Sequence, residues 1–470
     1  MESESNYVYW REYPERDPQA VVWYPCTYGP LDADDIWDGA PSGDATGGKK
    51  EIGFYIHAPL CKGVCKYCPF NKYNWTPSRA EQFMGAIKEE IRLVTARPYF
   101  QNARIVAGFF GGGTPTALST EQLADLMACC YEHFDIAPDA EMSVEATPDT
   151  IEEEKLRTLK DLGANRLSIG VQSFNPRLLR IMGRAHRKPE SALAAIELAR
   201  KVGFDVLTID LLYRVPSQTL SDWEQDLRRA VELDLDHLTT FSLFLDPGTP
   251  LYDDMTAGNT LPQPDEEADL AMYDMAVEIL GQAGYNLYTL YDFARPGKEC
   301  LHHAINWQAP QRDYVSLGPG AFSFINNGQA SHIYCNINPL DEYVACVHQG
   351  HLPVEFGKKL SPEEEMSRYM VLGTNYLSVP RTPFKKRFGV DITQVYGKEL
   401  QQLESWGLIR LDEQAMVLTG KGKTYLANVS KTFFTDENRG MPHVIGVELQ
   451  KGEGLSLVGI EGESDESSTS

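Results

Sequence analysis

The sequence predicts an α/β fold: a partial or closed (β/α) barrel over residues 51–355, then a small winged-helix-like α+β domain over 356–435. Two observations carry the barrel. Short runs rich in β-branched and aromatic residues recur between segments whose apolar residues repeat at helical spacing. Strands and helices alternating in series imply right-handed crossovers and a parallel sheet. A third observation carries the second domain. After about residue 355 the alternation stops, and "SPEEEMSRYMVLGTNYL", "TPFKKRFG" and "ITQVYGKELQQLESWGLIRLDEQAMVLTGKGKTYL" read as helices ending in a β-hairpin.

Taken in order, residues 1–50 read as an irregular arm with Pro, Gly and Asp spread through it. The strand runs follow: "IGFYIH" (52–57), "RIVAGFF" (104–110), "EMSVEA" (141–146), "RLSIGVQ" (166–172), "DVLTIDLLY" (205–213), "HLTTFSLF" (237–244) and "NLYTLYDF" (286–293). Between them, "TIEEEKLRTLKDLGAN" sets Leu156, Leu159 and Leu162 on one helix face, with Gly163 as its C-terminal cap. "PESALAAIELARKVGF" repeats that design with Gly203. "LSDWEQDLRRAVELDL" opens with Ser221 and Glu224 in capping-box spacing. Residues 436–470 form a tail that ends in the acidic, disorder-prone "EGESDESSTS".

The bulk properties restrict the function. A net charge of -24 disfavours wrapping nucleic acid. No apolar run reaches the roughly 18–20 residues of a membrane span. The polar, acidic start lacks a signal-peptide pattern, so a cytoplasmic protein is expected. Six of the nine cysteines are scattered, as expected of reduced, buried thiols.

The other three, Cys61, Cys65 and Cys68, lie within "YIHAPLCKGVCKYCPFNKYNW", just after the first strand run. In a barrel, chemistry is carried at the C-terminal ends of the strands. Three readings compete: structural zinc, which wants a fourth ligand such as His57; inert loop thiols; and a [4Fe–4S] cluster. The cluster reading accounts for the number three, because it leaves one iron open to a substrate or cofactor.

C-x3-C-x2-C after a first barrel strand resembles the signature of radical S-adenosylmethionine (SAM) enzymes. "YIHAPLCKGVCKYC" is similar to the start motif of the oxygen-independent coproporphyrinogen III dehydrogenase subgroup. That subgroup also holds haem chaperones, haem-degrading enzymes and class C methyltransferases. "GGGTPT" (111–116), "VEATPDT", "NRLSIGVQSF", "GRAHRKP" and "TIDLLYRVPSQT" extend the likeness. The resemblance implies that Cys61, Cys65 and Cys68 hold a [4Fe–4S] cluster whose open iron binds SAM. It implies that Tyr55, Gly112 and Glu145 position that SAM. A second SAM would meet Gln172, Arg184 and Asp210, with Tyr67, Gly113, Thr114, Phe244 and Phe322 nearby. A one-electron reductant such as flavodoxin or ferredoxin is the implied partner, beside a small-molecule substrate.

Departures from the relatives narrow the reaction. No Arg-Asn-Phe-Gln-Gly-type motif of the dehydrogenase occurs near the C-terminus. The chaperones' His-Asn-x-x-Tyr-Trp stands here as "HHAINW": His302 and Trp307 match, while His303 and Asn306 differ. The subgroup's Asp-Leu-x-Tyr-Gly-Leu-Pro-Gly stands as "DLLYRVPS", with Arg214 and Ser217 at the glycine positions. The expectation drawn from these departures is a class C methyltransferase. It would use Tyr55 and Glu145 catalytically, and pass a methyl or methylene group to an sp2 carbon of a planar natural product, quinone or tetrapyrrole. Oxidative decarboxylation of a porphyrinogen and non-catalytic haem carriage are the alternatives.

Overall fold

The structure, a computed structural model, describes residues 16–17, 20–37, 39, 48–184, 188–439, 447–449 and 455–457. The expected acidic tail end lies outside these residues. Six strands in chain order form the barrel wall: β1 (Lys50–Ala58), β2 (Ala103–Gly112), β3 (Ile136–Ala146), β4 (Arg166–Gln172), β5 (Val206–Tyr213) and β6 (His237–Ser242). Each pairs in parallel with the next. The crossovers are α1 (Pro77–Thr95), α2 (Thr120–His133), α3 (Glu153–Asp161), α4 (Pro189–Val202) and α5 (Leu220–Glu232). Gly163 (φ +98°) and Gly203 (φ +88°) end α3 and α4 in the left-handed conformation that glycine adopts without a Cβ penalty. At α5 the cap differs from expectation. Thr219, not Ser221, accepts from the Asp222 backbone N–H, and Asp222 accepts from that of Thr219.

The run 286–293 is not one parallel strand. It breaks into β7 (Asn286–Leu287) and β8 (Asp292–Ala294), an antiparallel pair in which β8 also runs antiparallel to β6. Thr289 causes the break: its Oγ1 donates to Asp292 Oδ2 at 2.6 Å and accepts from the Asp292 N–H at 3.1 Å, which turns the chain. After α6 (Glu266–Gln282) and α7 (Leu301–Trp307), the seventh parallel strand is instead β9 (Tyr314–Leu317), on the other side of β1. Antiparallel strands β10 (Phe322–Asn326), β11 (Ser331–Asn336) and β12 (Val354–Lys359) continue that edge. In the order β12-β11-β10-β9-β1-β2-β3-β4-β5-β6-β8-β7 the first and last strands do not pair with each other, so the barrel is the partial form.

Beyond it, β13 (Ser378–Pro380), β14 (Ile409–Leu411) and β15 (Ala415–Leu418) make a separate three-stranded sheet. Its core is shared with the N-terminal arm. Val21, Tyr24 and Cys26 are buried with Val371, Phe384, Met416 and Phe433. Tyr24 and Asn375 tie the arm down: the Tyr24 hydroxyl lies 2.8 Å from Ser367 Oγ, and Asn375 Nδ2 donates to Val21 O at 2.8 Å. The arm, expected to be irregular, is thus built into the C-terminal domain.

Arg16 also joins the arm to the barrel. Its guanidinium meets Asp269 of α6 at 2.7 Å, with side chains 11% and 0% exposed. Removing one partner of a buried pair strands the other charge, at about 3–5 kcal/mol. Arg16→Ala is therefore expected to lower the denaturant midpoint markedly, whereas an exposed pair such as Arg157–Glu153 is worth under about 1 kcal/mol when broken. Equal midpoint shifts for Arg16→Ala and Arg157→Ala would refute this.

Candidate functional site

The cysteine loop leaves β1 at Pro59 and is closed at its base by a two-residue parallel pairing of Leu60–Cys61 with Tyr73–Asn74. Tyr73 N–H donates to Pro59 O at 2.6 Å, and Trp75 N–H to Cys61 O at 2.8 Å. Inside the loop, a turn from Cys68 N–H to Cys65 O brings two of the cysteines together. His57 is not a ligand candidate here: its Nε2 is 2.9 Å from Asn71 O and its Nδ1 3.2 Å from Tyr55 Oη. Burial lowers its pKa, so it buttresses the loop as a neutral ring.

The glycine run at the end of β2 lies directly against this loop. A Cβ on Gly113 would stand 2.8 Å from the Pro59 carbonyl carbon and 2.9 Å from Ala58 O. Gly112 has φ +107° and donates its N–H to Glu145 Oε2 at 3.1 Å. Thr114 Oγ1 approaches Cys61 Sγ at 3.7 Å. The glycines are required first by backbone packing, and this packing presents the next residues to the thiols.

A cavity of about 430 Å³ opens over the strand ends. Cys61, Cys65, Cys68, Tyr67, Gly112, Gly113, Thr114, Glu145, Gln172, Arg184, Asp210 and Phe244 all line it. Two of the expected site residues do not. Tyr55 lies behind the wall, its ring 5.9 Å from those of both Phe109 and His302. Phe322 stacks on Trp23 at 5.1 Å, beside Tyr28 and Phe356, because alternation along β10 turns it toward the arm. Arg214 also lies outside the cavity wall, and its Nε donates to Pro264 O at 3.1 Å. Arg214 and Ser217 hold φ of +62° and +63°, so the backbone keeps a glycine-type conformation although the side chains have changed.

The sequence reading missed the roof. Arg16, Ala20 and Val22 of the arm, with Lys423 and Leu426 of the C-terminal domain, close the cavity from above. No local pattern marks them, because they meet the barrel only through long-range packing.

The floor is electrostatically loaded. Burial, reinforced by Asp210, pushes the Glu145 carboxyl up to about 8 against the Gly112 N–H bond. Burial and Asp292 push Asp210 up to about 7, although Ser168 bonds it. Burial pushes the Cys68 thiol up to about 12, so the thiolate form needs a cation beside it. Arg184, 3% exposed, donates to Cys65 Sγ at 3.2 Å and to Gly170 O at 2.5 Å, while its Nε is buried without a partner among the described residues. Three thiols on one loop, an orphaned guanidinium N–H and two carboxyls poised to ionise fit an iron–sulfur cluster and a zwitterionic ligand.

A raised carboxyl pKa also fixes a pH dependence. Between the ordinary value of 4.5 and about 8, the folded chain keeps a proton on Glu145 that the unfolded chain has lost. Stability is therefore expected to fall as pH rises through that window, and Asp210 acts in the same direction. Glu145→Gln should flatten the slope; an unchanged melting-temperature profile would count against it.

The segment carrying the altered haem motif is α7, whose residues contact β1 and β2. His302 is buried, 4.7 Å from the Phe109 ring, and its Nε2 lies 2.9 Å from Asn306 Nδ2. Burial, and then His303, bring its pKa down to about 3. It does not line the cavity.

A model of the Radical SAM superfamily matches residues 55–230, and one of the HemN C-terminal domain matches 360–424. Over 371 residues the chain is 33% identical to the heme chaperone HemW of Bacillus subtilis, covering 78% of this chain and 95% of that one. Over 403 residues it is 30% identical to the oxygen-independent coproporphyrinogen III oxidase of Escherichia coli, covering 82% and 86%. The structure of Escherichia coli HemN superposes with a TM-score of 0.72 at 27% identity, covering 82% of this chain and 90% of that chain. These relatives overturn the expected class C methyltransferase: they are haem chaperones and a coproporphyrinogen oxidase. The altered positions of "DLLYRVPS" that motivated methyl transfer, Arg214 and Ser217, keep a glycine-type backbone and do not line the cavity, whereas Asp210, Leu212 and Tyr213 of the same segment do.

Proposed function

The chain belongs to the radical SAM superfamily and carries a HemN-type C-terminal domain, and from that membership we propose that it is a haem-handling protein of the HemW kind. The family implies a [4Fe–4S] cluster and SAM. When bound, the cluster supplies the electron for reductive cleavage of SAM. The chain's own residues prepare the site. Cys61, Cys65 and Cys68 would hold the cluster. Glu145 would take up the ligand's ammonium group by giving up its proton, and the Arg184 Nε would meet a carboxylate. Gln172 and Asp210, beside Tyr67 and Phe244, offer polar contacts to a second SAM within the same cavity.

One observation carries the haem reading. The cavity sets apolar side chains, among them Val22, Phe244, Leu270, Leu290 and Leu426, beside the cation Lys423. A tetrapyrrole offers the matching surface, a broad apolar face edged with carboxylates. The buried His302 is not needed for this. Anaerobic titration of the cluster-loaded protein with haem is expected to give a Soret band that saturates near one haem per chain. Failure to retain haem, with turnover of coproporphyrinogen III and release of carbon dioxide, would assign the chain to the oxidase reaction instead. The HemN superposition keeps that second reading in play.

Glu145 supplies a further expected result. At pH 7 it holds its proton in the free protein. SAM binding should therefore release close to one proton at pH 7 and far less near pH 9, read from calorimetry in buffers of different ionisation enthalpy. Glu145→Gln should abolish the release, and proton uptake would contradict this role.

A further inference from the structure

Asp210 of the cavity floor is in register with Thr239 of β6, and Thr239 with Asp292 of β8. Two residues earlier on β6 stands His237, on the same face and nearer the N-terminal ends of the strands. Helix α7 brings His303 to this pair. His237, Asp292 and His303 each offer a ligand atom, and the three atoms lie within 4.8 Å of one another. His237 is 1% exposed and Asp292 is fully buried. Tyr288 stands between the imidazoles, its Oη 2.8 Å from His237 Nε2 and 3.2 Å from His303 Nδ1.

Hydrogen bonds alone do not satisfy this cluster. His303 Nδ1 is also 3.1 Å from Asp292 Oδ2, so one ring nitrogen faces both the hydroxyl and the carboxylate. If Nδ1–H donates to them, Tyr288 donates to His237 Nε2, and the remaining His237 proton sits on Nδ1. His237 Nδ1 and Asp292 Oδ1 then have no partner among the described residues, though both are buried. A buried polar group left without a partner is unfavourable. The nearby cation, Arg166, is engaged by Glu141 at 2.9 Å.

We propose that His237, Asp292 and His303, with Tyr288 beside them, form a second metal site, separate from the cysteines, for one divalent transition-metal ion. Two imidazoles and a carboxylate are a nitrogen–oxygen donor set of the kind that binds zinc or iron(II) rather than magnesium. The ion would pin α7 to β6 and β8. It would thereby fix His302, the preceding residue of α7, against Phe109 and Tyr55 behind the cavity wall. This inference does not depend on whether haem or a porphyrinogen is the ligand.

The test uses the full chain with its cluster loaded, so that the cysteines are occupied. The protein is treated with a chelator, incubated with zinc alone and desalted; metals are then counted by mass spectrometry. Wild type is expected to hold about one zinc beside about four irons. His303→Asn and Asp292→Asn should each cut zinc retention by roughly tenfold or more, with iron unchanged. Zinc-edge X-ray absorption on wild type should show nitrogen and oxygen ligands without sulfur. That measurement keeps the proposal testable even if a variant fails to fold. No retained zinc, equal retention in the folded variants, or sulfur ligation would each overturn the site.

Discussion

Replacing Cys61, Cys65 and Cys68 together by Ala is expected to abolish iron binding while leaving the chain folded. The cysteine loop is tied at its base by main-chain bonds from Tyr73 and Trp75, and at its middle by Lys66 N–H to Met182 O. None of these bonds uses a thiol. Alanine removes all three thiolate ligands and costs little packing, because the side chains face the cavity. Anaerobic reconstitution of wild type should give about four irons and four sulfides per chain, with broad absorbance near ~400 nm. The triple variant should give none, cleave no SAM, and melt close to the unloaded wild type. Retention of a full iron complement by the triple variant would refute the assignment of these thiols.

Gly113→Ala is expected to have the second largest effect, through the backbone. The new methyl would lie within 2.9 Å of main-chain atoms of Ala58, Pro59 and Leu60. Main chain cannot rotate away as a flexible side chain can, so the glycine run and the cysteine loop must separate. Overpacking of this kind costs about 1–3 kcal/mol. The displacement also moves Thr114 off Cys61 and strains the Gly112–Glu145 bond, because both are next to the altered residue. SAM affinity should drop by roughly tenfold or more, about 1.4 kcal/mol. Gly203→Ala is the control. It has nothing within 4 Å of the new methyl and φ of +88°, and it lies at the end of α4. It should cost stability alone. Equal loss of SAM affinity in both variants would show that the Gly113 contact has no special role.

What the sequence determined by itself is local. Strand–helix alternation announces the barrel, because each unit's apolar pattern is set by its own period. The spacing of Cys61, Cys65 and Cys68 places three thiols in one loop, since a loop of eight residues cannot spread them far. Gly163 and Gly203 announce two helix ends, because left-handed backbone is a property of the residue itself.

Only the tertiary structure decided what depends on distant neighbours. It gave the seventh parallel position to Tyr314–Leu317, because Thr289 turns the chain before Asp292 and sends β8 antiparallel. It put Phe322 among the aromatic rings of the arm and Phe244 on the cavity wall, although both are phenylalanines near strand ends. It folded Val21, Tyr24 and Cys26 into the C-terminal core and brought Arg16 and Lys423 over the cavity. His237, Asp292 and His303 meet only there as well. Each of these placements is chosen by burial and by pairing between segments far apart in the chain. A residue's local pattern carries no record of which distant surface will exclude water from it.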